Sequence, residues 1–445
     1  MNVRRVALLP NGQAFALPMP IPPVLQPVPS SSALIDTYRL NVGQATVELL
    51  PGLPTKVLTY NGQFVGPTIQ ATVGRPVRVI ATNNFTEPIA VHLHGGHTPS
   101  DSDGYPMDVV QPGQSRVYNY PNNQQGTMLW YHDHAMGLEA VHVYSGLHGM
   151  YVLRDHSEDS LGLPSGAYDV PIMIRDADLD TDGNLVWQPV NINTILVNGV
   201  VQPYFQVAAR KYRLRIVNAA VERIFRFDLG GGEFIQIGSD GGLYPAPVSR
   251  TELVLGSAER ADVVVDFSRY PVGSQVMLSD TTGPALRFDV VRTAPDTSQV
   301  PAVLRALPAL PPATVTRQIS MKFDFDSGMS PPPGTINGAA FDPNVINFQV
   351  KRGSTEIWEV TNADPIALNI DHSFHVHMTQ FRVLDRQGSP MLPDDDGLKD
   401  TINVPPGSTV RIQATFRDYL GKYVFHCHYL EHSVLGMMGQ IEVIA

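Results

Sequence analysis

The segment 60–83, YNGQFVGPTIQATVGRPVRVIATN, opens with an Asn-Gly pair and closes with an alternating apolar strand that ends on an asparagine. The same pattern occurs in LVNGVVQPYFQVAARKYRLRIVNA (196–219) and in TINGAAFDPNVINFQVKRGSTEIWEVTN (335–362). The Asn-Gly pairs are separated by 137 and 139 residues and begin at Asn61, Asn198 and Asn337. Three units of this size nearly fill the chain, so the repeat predicts three domains of one architecture.

Short alternating strands fill each unit, for example RVIA, YRLRIV, ADVVVDF and TVRIQATF. Turns rich in Gly, Pro, Asn and Asp separate them, and helical periodicity is scarce, which is typical of an all-β sandwich or barrel. Candidate boundaries fall near residues 155–165 and 297–316, and the second of these is a Pro- and Ala-rich linker.

Composition excludes several classes of protein. The chain has 445 residues, with 31 Lys+Arg against 42 Asp+Glu and a net charge of −11. It has no basic run, which argues against nucleic-acid or anionic-membrane partners. No apolar stretch is long enough to span a membrane, and Pro10 interrupts the apolar N-terminal stretch, so a signal peptide is not clearly predicted. One cysteine cannot form an intrachain disulfide.

Four His-x-His pairs are the main chemical signal in the sequence. On a strand both histidines of a pair face the same side, which suits one metal ion or two adjacent ions. Two pairs lie in the first unit and two in the third: His92/His94, His132/His134, His375/His377 and His426/His428. The second unit has Phe227 and Leu229 where the first has His92 and His94, so we expect it to keep the strand without holding metal.

The last cluster adds sulfur to the histidines. Cys427 lies between two histidines of a pair and is expected to face the opposite side of the strand; His432 and Met437 follow. One thiolate, two imidazoles and a weak thioether are the ligands of a blue-copper site, and His372 is the natural fourth member. Zinc is the alternative metal, but it usually takes more thiolates or a carboxylate, and one zinc ion cannot use eight histidines.

The motifs HLHGG (92–96), YHDH (131–134), HSFHVH (372–377) and HCHYLEHSVLGM (426–437) resemble the four copper signatures of the multicopper oxidases. ALPMPIPPVLQPV (16–28) and KDTINVPPG (399–407) resemble the bacterial spore-coat laccases within that family. The resemblance implies three cupredoxin-like domains, at 1–158, 159–305 and 306–445. It implies that the second is a spacer without copper ligands.

The resemblance also implies four copper ions. A type 1 copper would take His372, Cys427 and His432, with Met437 axial, and would receive electrons through an exposed histidine edge. The type 2 copper would take His92 and His375. The two type 3 coppers would take two sets of three histidines: His94, His132 and His428 for one, and His134, His377 and His426 for the other.

Protons for dioxygen reduction need an acid near the copper cluster. Asp103 matches an acidic residue that the family has near the type 2 copper, and we expect it to deliver protons; the alternative is a loop-capping aspartate. Many relatives have a glutamate directly after the last ligand histidine, where this chain has Ser433. This departure leaves the usual proton relay in question.

The resemblance implies a laccase-type oxidase that couples one-electron oxidation of phenols or aromatic amines to reduction of dioxygen to water. The alternatives are a bilirubin oxidase and an oxidase of cuprous or ferrous ions. A copper nitrite reductase would lack the histidines flanking Cys427, and a copper carrier would consume no oxygen. We expect a monomer without nucleic-acid or membrane partners; the resemblance favours a periplasmic, extracellular or spore-associated location.

Overall fold

The structure is a computed structural model that describes residues 14–29, 34–187, 194–392 and 395–445. The possible signal segment at the N-terminus lies mostly outside these ranges. Strands dominate the described residues, with two short α-helices, α1 (Glu139–Ser145) and α2 (Leu430–Val434). No described helix is long and apolar enough to cross a membrane. Short 3-10 helices lie at Ser100–Ser102, His156–Leu161, Gly166–Tyr168, Phe267–Arg269, Phe325–Ser327 and Ile366–Leu368.

The first unit contains two four-stranded sheets. One has the order β2-β1-β4-β6 and the other β3-β8-β7-β5. β1 runs parallel to β4, and their side chains enclose an apolar core. The strands are β1 (Asp36–Leu50), β2 (Leu53–Tyr60), β3 (Gly66–Thr72), β4 (Val77–Asn83), β5 (Val91–His94), β6 (Ser115–Tyr120), β7 (Thr127–Asp133) and β8 (His148–Arg154).

The second unit has a seven-stranded sheet, β11-β10-β9-β13-β18-β15-β16, with smaller sheets β12-β20-β19 and β14-β17. In this unit β9 runs parallel to β13, and β12 runs parallel to β20. The strands are β9 (Asp169–Ala177), β10 (Thr194–Val197), β11 (Val200–Val201), β12 (Tyr204–Ala209), β13 (Lys211–Asn218), β14 (Phe225–Phe227), β15 (Phe234–Ser239), β16 (Gly242–Arg250), β17 (Leu253–Leu255), β18 (Arg260–Asp266), β19 (Gln275–Asp280) and β20 (Gly283–Thr293).

The third unit has a six-stranded sheet, β22-β21-β24-β29-β26-β27, and a five-stranded sheet, β23-β31-β30-β25-β28. In this unit β21 runs parallel to β24, and β23 runs parallel to β31. The strands are β21 (Val315–Phe323), β22 (Gly334–Ile336), β23 (Phe348–Lys351), β24 (Thr355–Asn362), β25 (His372–Val376), β26 (Phe381–Gln387), β27 (Leu398–Lys399), β28 (Thr401–Val404), β29 (Thr409–Thr415), β30 (Gly421–Cys427) and β31 (Met438–Ile444).

The repeated asparagines make the same hydrogen bonds in each unit. The amides of Asn83, Asn218 and Asn362 each donate to two backbone carbonyls and accept from the backbone N–H two residues on. The Asn-Gly turns also repeat, because all six of their residues have positive φ. The predicted all-β fold in three cupredoxin-like units is confirmed; the domain boundaries stay predictions.

Candidate metal centres

Strands β5 and β7 carry the histidine pairs of the first unit. His92 lies opposite His132 in the antiparallel register of β5 with β7, and His134 directly follows the end of β7. Because side chains alternate along a strand, each His-x-His pair projects from one face of its sheet. The backbone register thus places the two pairs of this unit side by side.

Strands β25 and β30 divide their side chains between two faces. His375 lies opposite His426, and Phe374 lies opposite Cys427. His372 is three residues before His375 and therefore projects to the other face, the one that Cys427 also faces. The predicted separation into a histidine-only face and a cysteine face is present in the structure.

The two pairs of the first unit meet the two pairs of the third between the units. The rings of His92 and His377 stack with centroids 3.8 Å apart, and those of His94 and His375 at 3.7 Å. We call the set the eight-histidine cluster: His92, His94, His132, His134, His375, His377, His426 and His428. Its ligand atoms fall into groups within 4.8 Å of one another that could each hold a metal ion: His92/His94/His375, His94/His132/His428 and His134/His377/His426.

The free ring nitrogens in this cluster fit a metal. Seven of the eight rings have one buried nitrogen with no hydrogen-bond partner among the described residues. In the remaining ring, His426 Nε2 lies 3.2 Å from His134 Nε2, so two potential ligand atoms face each other. The second nitrogen of several rings is fixed, as in His92 Nδ1 to the Asp103 carbonyl at 2.6 Å and His375 Nδ1 to the Asp400 carbonyl at 2.8 Å. One fixed and one free nitrogen is the pattern of metal-ligating histidines.

Burial keeps these rings neutral. It lowers the pKa of all eight histidines, to about 3 for His132 and about 4 for His426, and nearby rings lower most of them further. A neutral imidazole is the form that binds a metal ion, so the cluster is ready to bind metal at neutral pH.

The second centre, the cysteine site, consists of His372, Cys427 and His432. Cys427 Sγ lies 3.4 Å from His432 Nδ1 and 3.7 Å from His372 Nδ1, and the two Nδ1 atoms are 3.1 Å apart. Met437 is fully buried; its carbonyl accepts from the Cys427 N–H at 3.0 Å and its N–H donates to the His432 carbonyl at 2.9 Å. One sulfur and two imidazole nitrogens converge there, with a methionine held alongside.

The cysteine site favours the charged forms of its sulfur and its imidazoles. Burial alone would raise the pKa of the Cys427 thiol, but the His432 and His372 rings more than offset it and lower the pKa to about 6. Burial would lower the pKa of His432, yet the thiolate and, to a smaller extent, Glu222 raise it to about 10. The thiolate is the form that binds copper.

Two carboxylates that sequence reasoning missed orient the rings. Asp364 Oδ2 lies 3.0 Å from His372 Nε2, and Asp400 Oδ1 lies 3.0 Å from His94 Nε2. Arg260 of the second unit forms an ion pair with Asp400 and fixes it in turn. Gly95 has a φ of 79°, and a Cβ there would collide with the side chains of Asp400 and Arg260. The motif KDTINVPPG contains Asp400 and was the available signal for it.

The second unit contributes no histidine to either centre. Phe227 ends β14, Leu229 lies two residues beyond it, and both are buried in the core of this unit. It does more than space the other two units, however. Ser257 Oγ donates to the His428 carbonyl at 2.9 Å, and Arg260 reaches Asp400. The second unit therefore helps to position both the third-unit histidines and the carboxylate behind His94.

Asp103 lies against the eight-histidine cluster. It is fully buried, and its Oδ2 is 2.7 Å from His377 Nδ1. Burial raises the pKa of this carboxyl well above its usual range. The carboxylate thus contacts a histidine of the cluster; a role in proton delivery and the loop-capping alternative both stay predictions.

The histidines outside the predicted ligand sets have structural partners. His97 binds the Met378 carbonyl and Asp418, and His142 lies between Asp133 and Glu87. His148 Nδ1 is 3.0 Å from the Val143 carbonyl. His156 is exposed beside Asp159. None of them belongs to the metal-capable groups found among the described residues.

Comparison with known proteins agrees with this geometry. Three family models described as multicopper oxidase match residues 41–158, 173–299 and 311–445. A laccase from Bacillus subtilis (strain 168) is 35% identical over 97% of this chain and 98% of its own length. A bilirubin oxidase from Albifimbria verrucaria is 36% identical over 98% of this chain and 82% of its own length.

Solved structures give the same result. The crystal structure of a laccase from Pediococcus acidilactici superposes with a TM-score of 0.90 at 32% identity, covering 96% of this chain and 94% of that one. The family matches, the three repeated units and the two histidine-rich centres agree with one another. The chain therefore belongs to the multicopper oxidase family, copper-dependent oxidoreductases that use an organic reductant and dioxygen.

Proposed function

We propose that this protein is a laccase-type oxidase that removes single electrons from phenols and aromatic amines and reduces dioxygen to water. The observation that carries the proposal is the direct covalent link between its two centres. Cys427 of the cysteine site is bonded through the backbone to His426 and His428 of the eight-histidine cluster. Electrons that enter at one centre therefore have a short path to the other.

We assign four copper ions to these residues. His372, Cys427 and His432 would hold the type 1 ion with Met437 as axial ligand, and His92 and His375 would hold the type 2 ion. The type 3 ions would take His94, His132 and His428, and His134, His377 and His426. Bound copper would supply one-electron redox chemistry and a place to reduce dioxygen.

His432 is the proposed entry point for electrons. It is 5% exposed, whereas His372 and Cys427 are completely buried. Phe323 and Tyr429 lie edge-on to its ring, with centroids 4.8 and 5.3 Å away. Aromatic groups around a barely exposed imidazole edge suit a flat aromatic donor.

Acidic side chains near His432 give the proposed entry point a preference for the charge of the electron donor. Glu222 Oε1 lies 3.4 Å from His432 Nε2, and Glu431 is its neighbour in the chain. Negative charge at this rim attracts cations and repels anions. We therefore propose that neutral phenols and cationic aromatic amines are better donors than aromatic carboxylates.

The test is a metal count followed by oxygen uptake with a panel of donors. We expect about four copper ions per chain, a blue protein, and faster uptake with a phenol or aromatic amine than with cuprous ion, ferrous ion or bilirubin. A matched pair of donors that differ only by a carboxylate tests the charge preference. Glu222→Gln should reduce the difference between the oxygen-uptake rates with these two donors. Faster turnover on metal ions or on bilirubin would replace the proposed donor class.

A further inference from the structure

Glu139 is a buried carboxylic acid to which the copper assignments give no role. It is fully buried at the first residue of α1, five residues after His134. Its Oε1 accepts a 2.9 Å hydrogen bond from Ser433 Oγ on α2. Its Oε2 is buried and has no hydrogen-bond partner among the described residues. Buried polar atoms are nearly always paired, so this oxygen points to a function rather than to packing.

The hydrogen bond between Glu139 and Ser433 joins the two units that build the eight-histidine cluster. α1 follows the strand and turn that carry His132 and His134, and α2 begins two residues after His428. The two helices meet in one apolar cluster that also contains Val221 of the second unit; its helix members are Ala140, Val143, Tyr144, Leu430 and Val434. Glu139 and Ser433 are therefore each close in sequence to histidines of the eight-histidine cluster.

The surroundings keep Glu139 protonated at neutral pH. Burial raises its pKa to about 8, hydrogen bonds from Ser433 and nearby backbone oppose this, and the charge of Asp133 adds to it. The other charged or titratable groups on the elements packed here are engaged elsewhere or adjoin the cysteine site: His142, Arg175, Glu431 and His432. A carboxyl with a pKa near the working pH can both release and regain a proton.

We propose that Glu139 is a proton-relay residue for dioxygen reduction: the Ser433 hydroxyl orients the carboxyl through Oε1, and Oε2 holds a proton and releases it towards the eight-histidine cluster. Four electrons from the reducing substrate and four protons convert one dioxygen into two water molecules. In each cycle of the relay the O–H bond of Glu139 breaks, the proton goes to an oxygen atom derived from dioxygen, and solvent returns a proton to the carboxylate.

This assignment gives the protein two buried acids at different parts of the cluster. Asp103 contacts His377, whereas Glu139 lies beyond His134 and bonds to the residue after His432. It also answers the question that Ser433 raised, because a carboxyl reaches this serine from a different unit. The inference rests on the oxygen-reducing half of the proposed function and not on the class of donor.

The decisive variant is Glu139→Gln, which keeps the shape and a hydrogen-bond acceptor for Ser433 but cannot carry the proton. With full copper content, we expect oxygen uptake at saturating donor to fall roughly 10²-fold. Reduction of the blue centre by donor without oxygen should keep its wild-type rate, because the cysteine site is untouched. Wild-type oxygen uptake, or a parallel fall in both rates, would overturn the proposal.

Two further variants separate proton transfer from structure. The exchange Glu139→Ser with Ser433→Glu moves the carboxyl across the same contact and should restore uptake to within a few-fold of wild type; uptake as slow as in Glu139→Gln would count against the relay. Glu356→Gln removes a buried carboxyl that pairs with Arg317 in the third unit and should leave uptake unchanged. An equal loss there would show that any buried acid gives this effect.

Infrared spectra of the resting holoprotein give a readout that does not depend on turnover. The difference spectrum between the wild type and Glu139→Gln should show a protonated-carboxyl band at pH 7 that disappears as the pH rises through about 8; the contribution of Asp103 is common to both proteins and cancels. Identical spectra would mean that Glu139 is ionised and would refute the proposal. If the wild type oxidises only metal ions, the proposed class of donor is wrong. The comparison of oxygen uptake between wild type and Glu139→Gln, with a metal ion as donor, still tests whether Glu139 relays protons.

Discussion

The eight-histidine cluster and the cysteine site use the same side chain in opposite electrostatic states. In the cluster, burial lowers every histidine pKa, and neighbouring rings lower most of them further. In the cysteine site, negative neighbours outweigh burial and raise the pKa of both rings: Asp364 and the Cys427 thiolate for His372, and the thiolate and Glu222 for His432. Negative partners at this site therefore reverse the direction of the shift.

The difference shows how one fold keeps two metal centres apart. The cluster avoids charge by keeping its imidazoles neutral, and the cysteine site balances charge by pairing sulfur with imidazole. Both centres fix their outward ring nitrogens with a buried carboxylate, Asp400 for His94 and Asp364 for His372. A variant that disturbs one centre should therefore leave the other centre intact and detectable.

Replacing the sulfur of Cys427 should have the largest effect, because it removes the group that distinguishes the two centres. Cys427→Ser removes the thiolate, so we expect complete loss of the blue absorption and of oxidase turnover. The eight histidines remain, and about three copper ions should still bind. In the metal-free protein, the His432 pKa should fall from about 10, because the thiolate no longer opposes burial and only Glu222 still raises it. Visible absorption, copper content and NMR titration measure these outcomes; a blue variant would contradict the site.

Changing one orienting carboxylate at a time should separate the centres. Asp400→Asn weakens the hold on His94, and we expect a 10–100-fold loss of copper affinity or activity from the cluster, with the blue colour kept. Asp364→Asn is the matched change for His372 and should instead alter the blue absorption. The measurement is copper retention under a chelator together with the spectrum. The same response from both variants would mean that the centres are not independent.

The pH dependence of the metal-free protein should follow the neutral cluster. Burial lowers the pKa of His132 to about 3 and of His426 to about 4, against 6.5 when unfolded. Between these values the unfolded chain binds more protons, so the free energy of unfolding falls as the pH drops below 6.5. We expect a loss on the order of 1–2 kcal/mol per histidine at pH 5.

Denaturant unfolding at several pH values measures this loss. His132→Gln should reduce the dependence of the free energy of unfolding on pH below 6.5 by the contribution of one proton. The same change at the exposed His156, His156→Gln, should leave this dependence unchanged. The cysteine site has the opposite sign, because the raised His432 pKa gives stability that is full below pH 6.5 and is lost as the pH rises through about 10. A protein equally stable at pH 7 and pH 5 would contradict the buried neutral cluster.

The axial position should give the smallest effect. Met437→Leu keeps the volume and burial of the side chain but removes the thioether, so the reduction potential of the blue centre should rise while colour and copper content stay. We expect tens of millivolts, where about 59 mV is a tenfold change in a one-electron equilibrium. An unchanged or lower potential in a redox titration would exclude Met437 as axial ligand.

Much of the fold and the ligand grouping could be predicted because both depend on local repetition. Strand alternation sorts the histidines of each His-x-His pair onto one face and Cys427 onto the other, and the repeated asparagines mark equivalent turns. The pairing of first-unit with third-unit histidines came from the family resemblance alone. The partners Asp364 and Arg260 were missed, since nothing in the spacing of His372 or Asp400 indicates which distant residue will contact them.

The sequence alone determined three β units, two kinds of histidine setting and a second unit without metal ligands, because strand periodicity and turn chemistry are local properties. The tertiary structure decided which units share the cluster, that Arg260 of the second unit supports Asp400, and that Glu139 reaches Ser433. These contacts join residues 140 and 294 positions apart, and such long-range burial follows from how whole sheets pack, not from any local pattern.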